Sequence, residues 1–410
     1  MDAFSLIEVS GSAFEMGRQH GQQALPLIQK YLRWIDKLTG KPRPLLQQNA
    51  MRFLPLIGKL SPGYLDEVMG LAEGAGISLS DAMLCQCRAE AAQKWEGGGT
   101  AFVIARSGTA SGQPVAGQNQ DLESEYADVA IVLKVRPNDG RPAAVLFTFA
   151  GQLGYAGINQ HGVCNFVNAL YNFTWQPGLP TYPLRRAILE QPKIAACTAL
   201  PQRARTCSAL NLVLADATGA IADVEVRPDA VTPFNDLHPD RRLHTNHYVN
   251  GAFTPFENNT LPDSVPRLHR TRELIQKQWG RITVDTMKEI LADHDGAPAA
   301  ICRPGAVDRH SISGYIAEPA QRRGHIRRLH IRRGHIRRGH GCTGKWTTYS
   351  LYRANSYGAC RKNPETVIRP APTSTTACAP PAGSGFSMMA AIVKYGMPLI
   401  SERSFSWLWP

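Results

Sequence analysis

No apolar run in this chain reaches the roughly 18 residues that a membrane span needs. The opening MDAFSLIEVSGSAFEMGRQHG has neither a basic n-region nor an apolar h-region. A soluble, cytoplasmic protein without an export signal is expected. Any Cys-x-x-Cys pair is also absent. The nine cysteines are odd in number and scattered, which fits reduced thiols better than a zinc knuckle or a disulfide framework. His244 and His247, three apart, have no carboxylate or cysteine nearby in sequence and give only a weak metal signal.

Acidic residues are missing from one stretch in particular. Arg322 to Arg338 carries eight arginines in seventeen residues and no Asp or Glu, within the tandem repeat RRGHIRRLHIRRGHIRRGH. The formal charge is +12, so the rest of the chain is only +4. Such a tract can hold phosphates nonspecifically. No aromatic interleaving or known binding module accompanies it, and nucleic acid is not the expected partner.

What the chain does contain is apolar material for a large core: 410 residues, 43% hydrophobic, fit one large domain or two ordinary ones. Ile7 to Gly21 reads as a short strand and then a helix, with Ser12 as N-cap and Glu15 completing a capping box. Leu25 to Leu60 and Pro62 to Gln93 space apolar residues three and four apart, so the first third is helical. At its end, Arg88 and Glu90 read as a helix ion pair, worth little if exposed. Beyond Asp121 the pattern turns to strands. Val129 to Val135 and Ala143 to Phe149 flank the turn PNDGRP, and LNLVLAD and AIADVEV flank Thr218-Gly219. SVPRLHRTRELIQK and VDTMKEILADH return to helix, where Arg267 and Arg270 read as a solvated stripe.

The stretch that carries chemistry is Trp95 to Glu123, WEGGGTAFVIARSGTASGQPVAGQNQDLE. Three glycines and a threonine lead into an apolar strand, a polar turn follows, and a second strand returns the cluster Gln118, Asn119, Gln120 and Asp121. This stretch resembles the self-cleaving N-terminal-nucleophile enzymes of the isopenicillin-N acyltransferase type. Their usual pattern is Glu-Gly-Cys-Thr and then, after a hairpin, Gln-Asn-aromatic-Asp. Gly98, Thr100, Gln118, Asn119 and Asp121 match it, but Gly99 stands where the family has its cysteine. GSAFEMGRQHG, TWQPGLPTYPLRRAILE and ADHDGAPAAICR are similar to further family segments, and the resemblance covers nearly all of residues 3 to 351.

The resemblance implies an α+β fold, a four-layer αββα sandwich of the N-terminal-nucleophile hydrolases. Helical runs on either side of a strand-rich middle independently fit sheets covered by helices. The expected organisation is a helical N-terminal segment over 1–98 and a catalytic-type region over 99–351. The latter carries an Arg/His repeat insertion at about 322–340, and an unmatched, disordered tail follows over 352–410. The implied reaction is acyl transfer between an amide and a thioester or water, on a small-molecule amide or acyl-thioester substrate, with neither metal nor cofactor. By the resemblance, position 99 is the nucleophile, Asp121 holds the free α-amine, Asn119 lies nearby, and Asn246 stabilises the oxyanion. The resemblance also implies that Asn168 points into the cleft and that Arg309 lies near the site.

Glycine has no side chain with which to attack, so the expectation for Gly99 is an impaired copy. Three other readings stay open: an inactive member acting as an interaction protein, a hydrolase using Thr100 with its own amine as base, and an anionic-surface binder acting through the repeat. Since Gly99 offers no thiol or hydroxyl for self-cleavage, the purified protein should run as one chain near 44.9 kDa. Denaturing electrophoresis showing two fragments split near residue 99 would refute this.

Overall fold

Ser12 starts the longest helix in the way its neighbours dictate. Glu15 N–H donates to Ser12 Oγ at 3.3 Å and Ser12 N–H donates to Glu15 Oε2 at 2.8 Å. Strand β1 (Ser5–Gly11) therefore runs directly into α1 (Ala13–Thr39). The computed structural model describes residues 3–94, 97–171, 174–257, 261–303, 309–329 and 344–351. After α1 come α2 (Arg43–Met51), α3 (Leu54–Leu60), α4 (Pro62–Ala75), α5 (Leu79–Gln86) and α6 (Arg88–Ala92), as the apolar spacing predicts. Strands follow: β2 (Gly98–Ile104), β3 (Val115–Leu122), then, after the one-turn helix α7 (Tyr126–Val129), β4 (Ala130–Pro137), β5 (Ala144–Phe149), β6 (Ala156–Asn159) and β7 (Cys164–Ala169). The middle continues with α8 (Thr181–Ile188), α9 (Ile194–Arg203), β8 (Leu210–Ala215), β9 (Ile221–Val226), β10 (Val231–Pro233) and β11 (Arg241–His244). It closes with α10 (Ser264–Lys277), α11 (Val284–Ile290), β12 (His310–Glu318), β13 (Arg323–Arg328) and β14 (Trp346–Ser350).

These strands form two sheets, one ordered β1-β4-β5-β6-β7-β8-β9-β10 and the other β11-β2-β3-β12-β13-β14. The β1–β4 pair is parallel and the other ladders are antiparallel. The sheets face each other across one apolar core: Tyr315 packs edge-on to Phe166 and its hydroxyl donates to Val145 O at 3.2 Å. Helices α1 and α9 lie on the first sheet, α10 and α11 on the second. The architecture is the α+β, four-layer αββα sandwich.

Strand β2 shows how the layers are divided. Ala101 and Val103 belong to the core between the sheets, whereas Phe102 and Ile104 belong to the smaller core under α10 and α11. Successive side chains of a strand point to opposite faces. By the same alternation position 99 faces the gap between the sheets, while positions 98 and 100 face α10. In β3, Ala116 and Leu122 mark the inter-sheet face and Val115 the helix face, so Asn119 and Asp121 share the helix face.

The first unit of the arginine repeat, Arg323–Arg328, is β13, paired with both β12 and β14. Its alternation suits a strand, for Ile326 enters the core while His325 bonds Glu318 and Arg327 lies over the Trp346 ring. Residues 330–343 and the tail from 352 lie outside the described residues. Arg88 and Glu90 are both buried and do not pair with each other. Arg88 lies 4.5 Å from the Tyr126 ring centroid, and Glu90 accepts from Thr181 N–H at 2.9 Å. Residues up to 352 form one compact unit. No helix among the described residues is long and apolar enough to cross a membrane.

The helical segment is fixed to the rest through α1 and α4, which approach closely enough to exclude a methyl group. A Cβ on Gly70 would lie 2.0 Å from Phe14 O, and one on Gly17 would lie 1.8 Å from Glu67 O. Both obstacles are backbone. Gly70→Ala should therefore cost about 3 kcal/mol, the upper end of the overpacking range, read as a fall in the urea midpoint. An unchanged midpoint would show that the two helices separate at little cost.

Candidate active site

Strand β11 pairs with β2 only as far as His244 opposite Ala101. The chain then turns away, and the edge of β2 at Gly98–Thr100 has no strand beside it there. Side chains take over. Gly99 N–H donates to Asn246 Oδ1 at 3.1 Å, and Arg267 Nη1 donates to Gly99 O at 2.6 Å and to Thr100 Oγ1 at 3.0 Å. Arg267 Nη2 donates to the same Asn246 Oδ1 at 2.8 Å, and Arg267 Nε to Asp263 Oδ2 at 2.9 Å. Asp263 sits four residues before Arg267 and also pairs with Arg303 at 3.1 Å. Asn246 is fixed at its other groups: its N–H donates to Ser264 Oγ and its Nδ2 to Ala169 O at 3.0 Å.

Asp121 completes the helix-side face. Its register opposite Gly98 in β2 and Ser311 in β12 brings Ser311 Oγ to Asp121 Oδ1 at 2.6 Å. The other oxygen, Oδ2, stands 4.0 Å from Arg267 Nη1 and has no hydrogen-bond partner among the described residues. Burial raises this carboxyl above the usual carboxylate range, with Arg267, Arg303 and the Ser311 hydrogen bond opposing it.

On the inter-sheet face, Gly99 has φ +153°, a conformation that side-chain-bearing residues rarely adopt. A Cβ there would lie 2.5 Å from Asn119 O, 3.3 Å from Asn168 Nδ2 and 3.4 Å from Gln118 Nε2. The Asn168 amide is fully buried, and neither its nitrogen nor its oxygen has a partner among the described residues. Behind it runs a polar chain: Asn168 N–H donates to Asn211 Oδ1 at 3.0 Å, and Asn211 Nδ2 to Asp223 Oδ1 at 3.1 Å. Glu225, two residues further on the same face of β9, meets His244 Nε2 at 3.0 Å. His244 Nδ1 meets Thr245 O at 3.0 Å, so both ring nitrogens face acceptors, as an imidazolium requires. Burial opposes that charge, but Asp223 and Glu225 outweigh it and the His244 pKa rises to about 9. Burial pushes Asp223 up to about 6.

The predicted residues are thus divided between two faces. Position 99, Asp121, Asn246, Thr100 and Asn168 come together around the end of β2. Asn119 turns its side chain away, Nδ2 donating to Leu291 O at 2.8 Å and Ile301 O at 3.0 Å, and only its backbone carbonyl faces position 99. Asn246 presents its amide oxygen to Gly99, where the resemblance implies a donor. Arg309 donates to Tyr171 Oη at 3.1 Å and makes no bond to residues 98–100 among the described residues. Arg267, read as part of a solvated stripe, is fully buried at the centre. Its signal was Asp263 one helical turn earlier. Asp223 and Glu225 were also missed. Two carboxylates spaced two apart in an apolar strand must share a face, and that spacing was their signal.

The free cysteines among the described residues offer no substitute nucleophile. Cys85, Cys87, Cys164, Cys197 and Cys207 are buried, and burial pushes Cys85 and Cys164 up to about 12. Cys302 is disulfide-bonded, an exception to the expectation of reduced thiols. Among the described residues no group of three or more His, Cys, Asp or Glu could hold a metal ion.

The family model for acyl-coenzyme A:6-aminopenicillanic acid acyl-transferase matches residues 108–323, more than half of the chain. The chain is 28% identical over 309 residues to the acyl-coenzyme A:6-aminopenicillanic-acid-acyltransferase 40 kDa form of Emericella nidulans, covering 72% of this chain and 84% of that protein. Among solved structures it is similar to penicillin V acylase from Agrobacterium tumefaciens, at TM-score 0.35 and 12% identity over 57% of this chain and 76% of that one. It is also similar to a variant of conjugated bile acid hydrolase from Clostridium perfringens, at TM-score 0.41 and 11% identity over 62% and 97%.

The His244 geometry makes a prediction about stability. Its folded pKa of about 9 lies above the ordinary 6.5, so the protonated ring stabilises the fold fully below pH 6.5 and that contribution is lost as pH rises through 9. The loss should be on the order of 3 kcal/mol. Urea midpoints from pH 6 to 10 should fall less steeply for His244→Gln than for the unaltered chain. Parallel slopes would mean that His244 is not charged in the fold.

Proposed function

The chain belongs to the acyl-coenzyme A:6-aminopenicillanic acid acyl-transferase family. From that premise we propose that its site is built for acyl transfer between an amide and a thioester or water, centred on position 99. One observation carries the reading: the backbone of Gly99 is bound by Asn246 and by the buried cation Arg267. A buried backbone group must be paired, and here the pairing comes from two polar side chains, one of them a buried cation, rather than from a neighbouring strand.

The roles follow from what each group can still accept or donate. A side chain at position 99 would start 3.3 Å from the unpartnered Asn168 amide nitrogen, a donor for charge developing on the attacked carbonyl. Asp121 Oδ2 is the unfilled acceptor, and a free α-amine at residue 99 is the donor that would fill it. Asn246 and Arg267 would hold that amine and its carbonyl in place. Gly99 supplies no nucleophile, so this copy is impaired in both self-cleavage and acyl transfer. Thr100 does not replace it: its hydroxyl lies on the opposite face of β2 and accepts from Arg267. The substrate class carried over is a small-molecule amide or acyl thioester. A cytoplasmic site of action is supported by five free thiols among the described residues and opposed by the disulfide at Cys302.

Restoring the side chain tests the reading. In Gly99→Cys the positive φ and the 2.5 Å approach to Asn119 O must be relieved by a backbone shift, at a cost of about 1–3 kcal/mol. Cutting the 98–99 bond removes that φ altogether, so strain and thiol act in the same direction. Intact mass should show cleavage between Gly98 and residue 99. Gly99→Ser should be slower, its hydroxyl being the weaker nucleophile, and Asp121→Ala in the Cys background should suppress the cut. A folded Gly99→Cys chain that stays intact, with Asp121→Ala making no difference, would overturn the proposal.

A further inference from the structure

Asn246 is carried by a segment that begins where β11 ends at His244. Its Oδ1 accepts from Gly99 N–H, so whatever fixes this segment fixes one side of the position-99 site. Part of the anchorage comes from the start of α10. Thr245 Oγ1 donates to Ser264 O at 2.9 Å and Asn246 N–H donates to Ser264 Oγ at 2.7 Å.

The rest comes from Glu225 of β9. Three donors converge on its Oε1: Val249 N–H at 2.6 Å, Asn250 N–H at 3.3 Å and His244 Nε2 at 3.0 Å. His244 Nδ1 in turn meets Thr245 O at 3.0 Å. The pair therefore holds both ends of the segment, His244 where it starts and Glu225 where it finishes. It also joins the two sheets, since β9 belongs to one and β11 and β2 to the other.

Both side chains are fully buried, where hydrogen bonds are electrostatically stronger than in water. A neutral imidazole has a single N–H and could not donate to Glu225 and to Thr245 O together. A neutral acceptor in place of the carboxylate would hold the three donors less strongly. The charged groups around the pair are Asp223 from β9, Arg242 from β11, Arg267 and His269 from α10, and His247 within the segment itself.

We propose that Glu225 and His244 are positioning residues for the site at position 99: their ion pair clamps the Asn246 segment across the two sheets and keeps Asn246 Oδ1 on the Gly99 N–H. This rests on the acyl-transfer reading and extends it to two residues that act on position 99 through Asn246.

Hydrogen exchange in the full chain tests it, resolved to single residues by mass spectrometry. The quantity read is the protection of the Gly99 amide divided by that of the amides of β5, which lie in the other sheet. The Gly99 N–H exchanges when its bond to Asn246 opens. At about pH 7.5, His244→Gln should lower the ratio about tenfold, the size of one hydrogen bond to a charged group. Glu225→Gln keeps an acceptor oxygen without the charge and should lower it by less. A merely structural role would lower Gly99 and β5 together and leave the ratio unchanged.

A pH series on the unaltered chain gives the second readout. The His244 pKa is raised to about 9, so the ratio should hold up to about pH 8 and fall as pH rises through 9, a step that His244→Gln should lack. Asp223, pushed up to about 6, and His247, pushed down to about 4, titrate below this range. Should His244→Gln fail to fold, Glu225→Gln and the pH series decide. The inference is overturned if the ratio is unchanged in every folded variant, or if it shows no fall in the unaltered chain by about pH 10. The measurement needs no self-cleavage. An intact Gly99→Cys chain would sink the acyl-transfer reading, whereas an unmoved Gly99 ratio sinks this inference alone.

Discussion

The site depends on Arg267 and the strand edge it closes. Where β11 leaves β2, the groups of residues 98–100 face neither a strand nor water, and an unpaired buried backbone group is costly. One guanidinium spans the gap because it carries five donors in a rigid plane, reaching Gly99 O, Thr100 Oγ1, Asn246 Oδ1 and Asp263 Oδ2 together. A lysine ammonium, with three donors on a flexible stem, could not. The charge is balanced locally: Arg267 and Arg303 stand against Asp263 and Asp121. Asp121 contributes to that balance while keeping one oxygen unfilled, which is why burial can still raise its pKa.

Because β2 is buried on both faces, its alternation divides the chemistry. The helix face holds the ionic groups that position the backbone; the inter-sheet face holds neutral amides, Asn168 and Gln118, next to where a side chain at 99 would emerge. Further back, Asp223 holds Asn211, which in turn holds the Asn168 N–H, and the Glu225–His244 pair lies beside them. A nucleophile at 99 would thus be separated by the strand itself from the cation that fixes its carbonyl. The same division explains Asn119, whose odd position in β3 sends its amide toward α11.

Local interactions were the legible part of the sequence. The capping box at Ser12 and the β4–β5 and β8–β9 hairpins are set by residues within a few positions of one another, and they stand where the spacing put them. Gly99, Asp121, Asn168 and Asn246 were found through a resemblance, since nothing local brings residues 99 and 246 together. Arg267 was lost because helical spacing tells which residues share a face and not which face is buried; Arg270, its neighbour in the pattern, does sit at the surface on Glu273 and Asp293. In the repeat, composition drew attention away from period: the His-Ile-Arg alternation of residues 325–327 is a strand period, and the sheet uses it.

The groups left unsatisfied around a glycine argue most directly for what position 99 is for. Asp121 Oδ2 and both ends of the Asn168 amide are buried without hydrogen-bond partners among the described residues, and each such group costs about 1–3 kcal/mol. Folding alone gives no reason to keep them: apolar residues of similar shape would fill the same volume at no such cost. They are complementary to something a glycine lacks, a side chain on the inter-sheet face and a charged amine on the edge. Both would appear together if residue 99 carried a nucleophile and began a new chain. On the proposed acyl-transfer reading, the cost is that of a site arranged for chemistry at position 99, borne here without the side chain that would use it.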